Sequence, residues 1–327
     1  MQSQSSLDRF MSVHDALQKD RRWWRDSGRL RYAAMAAIMC EGNGTSVAHG
    51  IRKMGDDLKN EFPWYWGVNP HIQFVVGTLL LLQKDSAKRF INELIRVRKL
   101  FREQRLHRAL QFELLAVLIL RIKAEGRTIS RGTVRQFKAI YDEMKKHHRF
   151  LTGPDDFPAC ALLTGQSGTP QTIGEGIEAI YDQLHDSKFS KGNPLQTAAN
   201  IMYLAPGSTR DVVGRATALR DEFRSNNVRI NQRDYDEVAI LSMLQLPAWK
   251  VVARVLDLRD ELVSVRPKIN RLLRFDLAVG IAFADFAAGV AESQRLGGAK
   301  ILLDVQAMLA AQAAAMAAGA AAAAAAT

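Results

Sequence analysis

The chain has few cysteines and lacks the patterns by which enzymes and metal sites are usually detected. Its 327 residues include two cysteines, Cys40 and Cys160, far apart and each within an apolar stretch. Isolated cysteines of this kind favour buried, reduced thiols and therefore a cytoplasmic protein. The sequence contains no Gly-x-x-x-x-Gly-Lys-Ser/Thr, no Gly-x-Gly-x-x-Gly after a strand and no Cys/His metal spacing. We expect no catalytic residue, no cofactor and no metal ion.

Long apolar runs are also absent. Residues 72–82 and 114–122 are apolar, but each run has about half of the ~20 residues that a membrane-spanning helix requires. The first nine residues have no basic region followed by an apolar run, so the sequence predicts no signal peptide. These observations predict a protein without a membrane partner.

The sequence has no long run in which apolar and polar residues alternate, which is the pattern of a half-buried strand. Apolar residues instead recur every three to four positions, and prolines fall at the junctions between such stretches. Proline inside a helix would cost roughly 3 kcal/mol, so its positions outline the helices between them. The sequence therefore predicts an all-α fold.

One stretch of the chain returns at nearly constant spacing. Its four copies place an aspartate at positions 142, 182, 221 and 260, at intervals of 40, 39 and 39 residues. Apolar residues lie five and two positions before each Asp and two positions after it, which puts them on one face of a helix. They are Phe137, Ile140 and Met144, then Ile177, Ile180 and Leu184, then Ala216, Leu219 and Phe223, then Val255, Leu258 and Leu262. We expect each Asp to tie its helix to a neighbouring hairpin through a backbone N–H or an arginine.

A second apolar helix follows each of these helices, so the repeating unit is a helix hairpin. One hairpin cannot bury its apolar face alone and must stack on its neighbours. We predict a right-handed α-solenoid-like array of about six antiparallel hairpins with a period of about 39–43 residues. The predicted helical-repeat domain spans residues 1–297, with an N-terminal cap over 1–44 and repeats over 45–297. An Ala-rich C-terminal helix or disordered tail would follow over 298–327.

Two blocks close the two best-formed first helices. They are Phe150-Leu151-Thr152-Gly153-Pro154-Asp155-Asp156-Phe157-Pro158 and Phe189-Ser190-Lys191-Gly192-Asn193. Together with Ile140-Tyr141-Asp142 and Ile180-Tyr181-Asp182, they resemble a bacterial family known only as domain of unknown function 4003. The similarity is expected to run from about Phe10 to about Gly297. The resemblance implies a helix-rich cytoplasmic protein and carries no assigned activity.

Positive charge is concentrated in one segment. Residues 84–150 hold 18 basic residues against 7 acidic ones, so this segment alone accounts for the net charge of +11. Stacked hairpins would align these cations into a stripe that attracts nucleic acid, a nucleotide or an acidic partner. Four of the five tryptophans lie in the first 66 residues. They could stack on bases or sugars beside arginines, but burial within the N-terminal cap is the more common arrangement. The candidate binding surface consists of Arg96, Arg98, Arg102, Arg105, Arg108, Arg121, Arg127, Arg131, Arg135, Trp23, Trp24, Trp64 and Trp66.

Two groups that invite a metal interpretation have a simpler explanation. Asp155 and Asp156 lie beside Gly153 at a helix start, where acidic residues cap exposed N–H groups. His147 and His148 lack the i, i+4 histidine pair with glutamate that marks a zinc-peptidase helix. We interpret the two aspartates as capping residues and predict no metal at the histidines.

Three functions are compatible with these residues. The first is a non-enzymatic scaffold that binds a protein partner on a curved face. The second is a nucleic-acid or anionic-ligand binder that uses the basic segment 84–150, and the third is an enzyme with a site in the groove of the array. A partner that survives nuclease treatment would favour the first over the second.

Overall fold

The structure, a computed structural model, describes residues 5–19, 27–68, 70–147, 151–266 and 268–291. Within these ranges the chain forms fourteen α-helices joined by turns and short 3-10 segments, and no strand. The predicted all-α fold is confirmed. The predicted Ala-rich segment at 298–327 lies outside the described residues, and the extent of the repeat domain stays a prediction.

The chain forms two compact units. The first holds the described residues up to Val134 together with the last residues of the C-terminal helix, and the second spans Arg135–Ala287. The helices of the first unit are α1 (Ser6–Gln18), α2 (Ser27–Ala36), α3 (Gly44–Glu61), α4 (Pro70–Leu82), α5 (Ala87–Glu103) and α6 (Leu110–Lys123). Helix α3 packs against α1, α4 and α5, and α6 packs against α4 and α5.

The first unit is held by capped helices that bury one apolar face. Ser5 Oγ accepts a hydrogen bond from the Asp8 N–H at 3.1 Å, and Asn43 Oδ1 accepts one from the Ser46 N–H at 2.8 Å. Such caps satisfy N–H groups that have no partner within the helix. Phe10 of α1 is fully buried, as the spacing of apolar residues in the sequence requires. Helix α6 is an exception to the one-sided pattern, because nearly all of its central residues are buried.

The described part of the second unit contains eight helices. They are α7 (Arg131–His147, of which residues 135–147 belong here), α8 (Phe157–Leu163), α9 (Pro170–Asp186), α10 (Asn193–Met202), α11 (Thr209–Ser225), α12 (Tyr235–Ser242), α13 (Ala248–Glu261) and α14 (Arg271–Ala291). Helix α11 packs against α9, α12 and α13, while α10 packs against α8, α9 and α12. Within this unit, therefore, alternate helices of the chain are neighbours.

The repeated helices bury the residues that the sequence pattern selects. All twelve apolar residues around the four aspartates are buried. The aspartates themselves are exposed and do not tie neighbouring hairpins together, so that expectation is wrong. Asp142 instead pairs with Lys138 of its own helix at 2.6 Å, and Asp221 and Asp260 pair with the arginine that precedes each of them. The reason is geometric, because at 3.6 residues per turn the Asp lies about 180° from the centre of the apolar face.

Connections between hairpins of the second unit are made by arginines that bind backbone carbonyls. Arg215 of α11 donates to the carbonyl oxygen of Ser242 at 2.6 Å and to that of Pro206 at 2.7 Å. Arg220 of the same helix donates to the carbonyl oxygen of Ser187, in the turn after α9. These bonds satisfy carbonyl groups at helix ends that would otherwise lack a partner.

Helix α9 approaches its neighbours closely at two glycines. A Cβ atom on Gly174 would lie 2.6 Å from Cγ of Glu143 in α7. A Cβ atom on Gly176 would overlap the ring of Tyr203, which follows α10. Both positions therefore require the absence of a side chain.

Asp156 is a capping residue, as the sequence indicates. Its Oδ2 accepts a hydrogen bond from the Gly153 N–H at 2.9 Å at the start of the 3-10 turn before α8. Cys40 and Cys160 are both buried free thiols. Among the residues that the structure describes, no three His, Cys, Asp or Glu side chains are arranged to hold a metal ion. The same residues include no helix with the length and apolar character needed to cross a membrane.

Candidate binding surface

A short aromatic turn between α3 and α4 exposes two large rings. Residues Trp64–Trp66 form a 3-10 turn that ends at Gly67, whose φ of 55° is the left-handed conformation that glycine adopts without strain. The side chain of Trp64 is 93% exposed and that of Tyr65 is 69% exposed. Their ring centroids lie 5.9 Å apart in an edge-to-face arrangement. Solvent exposure of two neighbouring aromatic residues is unusual in a protein that has a large core.

The third aromatic residue of the turn connects it to α5. The guanidinium carbon of Arg98 lies 4.7 Å from the centre of the Trp66 ring, within the range of a cation–π interaction. On its other side, Trp66 lies near Phe62, with ring centroids 6.0 Å apart. The turn is thus fixed between the end of α3 and the basic face of α5.

Arg98 is itself held by a carboxylate from α6. Its Nε donates to Oε2 of Glu113, whose side chain is almost fully buried. A buried carboxylate needs such a charge-assisted partner, because burial of an unpaired charge is costly. Arg98 therefore has a structural role as well as a place beside Trp66.

Five of the nine predicted arginines form ion pairs. Besides Arg98, these are Arg96 with Glu93, Arg121 with Asp85, Arg127 with Glu125 and Arg131 with Glu103. The Arg121 pair is buried on both sides, and NH2 of Arg121 lies 3.1 Å from Oδ1 of Asp85. The Arg127 pair is exposed on both sides and lies at 3.7 Å, so it contributes little.

Two buried carboxylates in these pairs, those of Asp85 and Glu93, have lowered pKa values. Burial alone would raise the pKa of Asp85, but the hydrogen bond from Arg121 and the N–H of Ser86 outweigh it. Burial would likewise raise the pKa of Glu93, but Arg96 and the Ile129 N–H, at 2.6 Å from Oε1, lower it. Both groups are therefore ionised and fixed in place at neutral pH.

Four predicted arginines are exposed and make no side-chain hydrogen bond or ion pair to any described residue. They are Arg102, Arg105 and Arg108 in the first unit and Arg135 in the second. Arg102 lies four residues after Arg98, which places it on the same face of α5, one turn further on. Trp23 and Trp24 lie outside the described residues.

We name Trp64, Tyr65, Trp66, Arg98 and Arg102 the aromatic–basic surface. It brings together two tryptophans and two arginines from the predicted set. Tyr65 was not among the predicted residues, although its position between two tryptophans in a Pro/Gly-bounded turn is a signal for exposure. Trp, Tyr and Arg are the residue types enriched at the centres of binding interfaces.

The fold and this surface together define a class: an all-helical protein of two compact units with a solvent-facing aromatic and basic surface. Comparison with known proteins supplies a family. The chain belongs to the family described as protein of unknown function (DUF4003), whose model matches residues 7–314. The match extends beyond the expected end near Gly297 into the Ala-rich segment.

One relative is itself uncharacterised. The chain is 24% identical over 238 residues to "Uncharacterized protein YeaA" of Bacillus subtilis (strain 168), which covers 70% of this chain and 69% of the relative. No solved structure matches the chain.

Proposed function

We propose that this protein is a non-enzymatic binding protein whose aromatic–basic surface takes a segment of a protein partner. The observation that carries the proposal is the exposure of Trp64 and Tyr65 beside the arginine-bearing face of α5. Exposed aromatic rings gain the most from burial against a partner, since each can bury about 150–250 Å². Neighbouring arginines select a partner segment that carries carboxylates as well as apolar side chains.

The surface is already shaped before a partner binds. Glu113 fixes Arg98, and Arg98 in turn stacks on Trp66. A rigid site loses little conformational freedom on binding, which favours affinity. This rigidity supports a binding function for the surface.

The scaffold that carries the surface is, in this proposal, a stack of helix hairpins within each unit. It is supported by the packing of α3 on α5 and α4 on α6 in the first unit, and by the packing of α9 on α11 and α10 on α12 in the second. Repeats of this kind present extended binding faces. The proposal also includes a cytoplasmic setting, because both cysteines are buried free thiols.

A second candidate function is nucleic-acid binding, and a specific observation favours it. Arg102, in the last turn of α5, and Arg105 and Arg108, in the connection to α6, are exposed and have no carboxylate partner in the described part of the chain. Exposed aromatic rings beside unpaired arginines can stack on bases of a single strand. Affinity of that kind would fall steeply as salt is added.

A pull-down with the full chain as bait tests both functions. It is performed with and without nuclease treatment, and with the W64A/Y65A variant. We expect the partner to survive nuclease treatment and its recovery to fall by about tenfold or more in the variant, because truncation of interface aromatics typically costs 2 kcal/mol or more. The matched control is W249A, which removes a tryptophan of the second unit that is 64% exposed.

The possible outcomes distinguish protein binding from nucleic-acid binding. Equal recovery by W64A/Y65A and wild type would contradict a role for the aromatic turn. Loss of the partner on nuclease treatment would favour nucleic acid instead. The follow-up would then be a salt series with R102E/R105E/R108E, which spares Arg98 because that residue neutralises buried Glu113.

A further inference from the structure

A second candidate site lies in the second unit, where the sequence has no excess of positive charge. The turns that follow α9 and α11 enclose a cleft of about 590 Å³. Four cations line it, Lys188, Arg220, Arg224 and Arg229, beside the apolar side chains of Val228 and Ile230. Among the residues that the structure describes, no carboxylate lines this cleft. We call it the basic cleft.

Three of the four cations of the basic cleft are not neutralised by any side chain in the described part of the chain. Asp221 compensates Arg220, since Nε and NH2 of Arg220 donate to its Oδ1 at 3.0 and 2.9 Å. Lys188, Arg224 and Arg229 are exposed and bind no other side chain among the described residues. The C-terminal ends of α9 and α11 together supply about one negative charge. About two positive charges therefore remain for a ligand.

The positions of two cleft cations are fixed by contacts outside the cleft. Arg220 donates to the carbonyl oxygen of Ser187, and its guanidinium carbon lies 4.7 Å from the centre of the Phe189 ring. Lys188 has a φ of 72°, and the next N–H, that of Phe189, donates to the carbonyl oxygen of Leu184 at 3.0 Å. This hydrogen bond closes the end of α9 and holds Lys188 at the cleft.

The turn after α11 has the same construction. Asn227 has a φ of 56°, and the N–H of Val228 donates to the carbonyl oxygen of Phe223 at 2.8 Å. Because both turns are closed by the helix-ending pattern of hydrogen bonds, the cations that they carry face a preformed space. A preformed site binds with a smaller entropic cost than one that must be ordered.

A second cleft adjoins the first and shares Arg229 and Ile230 with it. It has a volume of about 510 Å³ and is lined otherwise by polar groups, among them Asn231, Gln232 and Arg233. Amide and guanidinium groups donate hydrogen bonds to hydroxyl and carbonyl oxygens. The two clefts together therefore offer a charged compartment and a polar compartment, each within the size range of small-molecule sites.

We propose that the basic cleft binds a small molecule that carries a diphosphate group, with the phosphate oxygens on Lys188, Arg224 and Arg229. The polar part of the ligand, such as a sugar or nucleoside, lies in the adjoining cleft. Guanidinium groups match phosphate oxygens in geometry, and each arginine can donate two parallel hydrogen bonds. The site uses no residue of the aromatic–basic surface, so either proposal can fail without the other.

Calorimetric titration of the full chain with inorganic pyrophosphate and with ADP tests the proposal. Titrations are performed in chloride of matched ionic strength, at about 50 mM salt, where phosphate contacts are strong. We expect both probes to bind, and ADP to bind more tightly because it also fills the polar cleft. The R224Q/R229Q variant should bind either probe about tenfold more weakly or worse, since each arginine removed would donate charge-assisted hydrogen bonds to the phosphate oxygens.

The matched control is K250Q/R271Q, which removes the same charge from two exposed positions of the second unit that line neither cleft. We expect its affinity to equal that of wild type. Circular dichroism checks that R224Q/R229Q retains the wild-type helix content. No binding by wild type, or an equal loss in the control, would overturn the proposal. Tighter binding of a single-stranded oligonucleotide, in competition with pyrophosphate, would replace it with nucleic-acid binding.

Discussion

The two units differ in the pKa shifts of their buried carboxyl groups. In the first unit, the buried carboxylates of Asp85 and Glu93 bind arginines, and their pKa values are lowered. In the second unit, Glu237 is buried with its Oε2 unpaired in the described part of the chain, and burial together with the charges of Asp236 and Asp276 raises its pKa well above the ordinary value. Burial and the charges of neighbouring aspartates also raise the pKa of Asp276 to about 7.

The arginines show the complementary difference. In the first unit, Arg98 and Arg121 neutralise buried acids, whereas three cations of the basic cleft neutralise no side chain in the described residues. The net charge of a segment therefore does not indicate where charge is available to a ligand. The segment with the largest positive excess contains arginines committed to structure beside the uncommitted Arg102, Arg105 and Arg108, and the rest of the chain, whose charges balance, contains uncommitted cations as well.

The largest expected effect comes from removing Arg121. In the R121M variant, buried Asp85 keeps only its exposed partner Arg89, at 3.1 Å, so an undercompensated charge remains in the interior. We expect the free energy of unfolding to fall by about 3 kcal/mol. Urea denaturation followed by tryptophan fluorescence measures the change, since four of the five tryptophans precede residue 67.

Two controls accompany this prediction. R127M removes an exposed arginine of the same unit and should leave stability within about 0.5 kcal/mol of wild type. D85N/R121M should recover part of the loss, because no buried charge is then left without a partner. If R121M lowers the free energy of unfolding no more than R127M does, the buried ion pair does not stabilise the fold.

An intermediate effect is expected from pH. Glu237 and Asp276 hold protons more tightly in the folded than in the unfolded protein, so the free energy of unfolding should fall as pH rises from about 4 through 7. Asp85 and Glu93 have lowered pKa values, so their stabilisation is present above the unfolded pKa and is lost as pH falls through the folded value. Stability should therefore decline on both sides of an optimum on the acidic side of neutrality.

The E237Q/D276N variant separates the two contributions. It should match wild type near pH 4 and exceed it by about 1–3 kcal/mol near pH 8.5, because neither replacement can ionise. Thermal denaturation at the two pH values, followed by circular dichroism, measures the difference. A variant that gains no stability at the higher pH would contradict the assignment of raised pKa values to these two carboxyl groups.

The smallest effect on stability is expected at the basic cleft. R224Q/R229Q removes two arginines whose side chains are exposed and unpaired among the described residues. We expect the free energy of unfolding to change by less than about 0.5 kcal/mol. The change can have either sign, because the substitution also relieves repulsion among the cations of the cleft. A loss comparable to that of R121M would show that these arginines are structural and would remove the contrast between the units.

Much of the helical framework could be predicted, because it depends on local pattern. The positions of Phe137, Ile140 and Met144 on one face follow from spacing alone, and all three are buried. The exposure of Asp142 follows from the same spacing, since the residue lies opposite that face, but the repetition of the aspartate suggested a structural tie instead. The repetition correctly predicts the helix, but the role that it suggests for the aspartate is wrong.

Which cations pair with carboxylates and which are available to a ligand could not be predicted from the sequence. The carboxylate partners of Arg98 and Arg121 lie 15 and 36 positions away along the chain, and only the packing of helices brings them together. The basic cleft combines Lys188, in the turn after α9, with Arg224, near the end of α11, and Arg229, in the turn that follows α11. The sequence favours burial of the tryptophans in the N-terminal cap, but Trp64 is exposed, because a turn bounded by Pro63 and Gly67 leaves few ways to bury three consecutive aromatic rings.

The glycines of α9 have a consequence for dissecting the molecule into fragments. Each glycine within a helix costs roughly 1 kcal/mol relative to alanine, and α9 carries Gly174 and Gly176 among its first seven residues. Its helical state therefore depends on Glu143 and Tyr203, the side chains that fill the space left by the glycines. A fragment that ends between α9 and α10 would lose Tyr203 and with it much of the reason for α9 to be helical. The smallest piece of this unit that can fold by itself must extend from α7 at least to Tyr203.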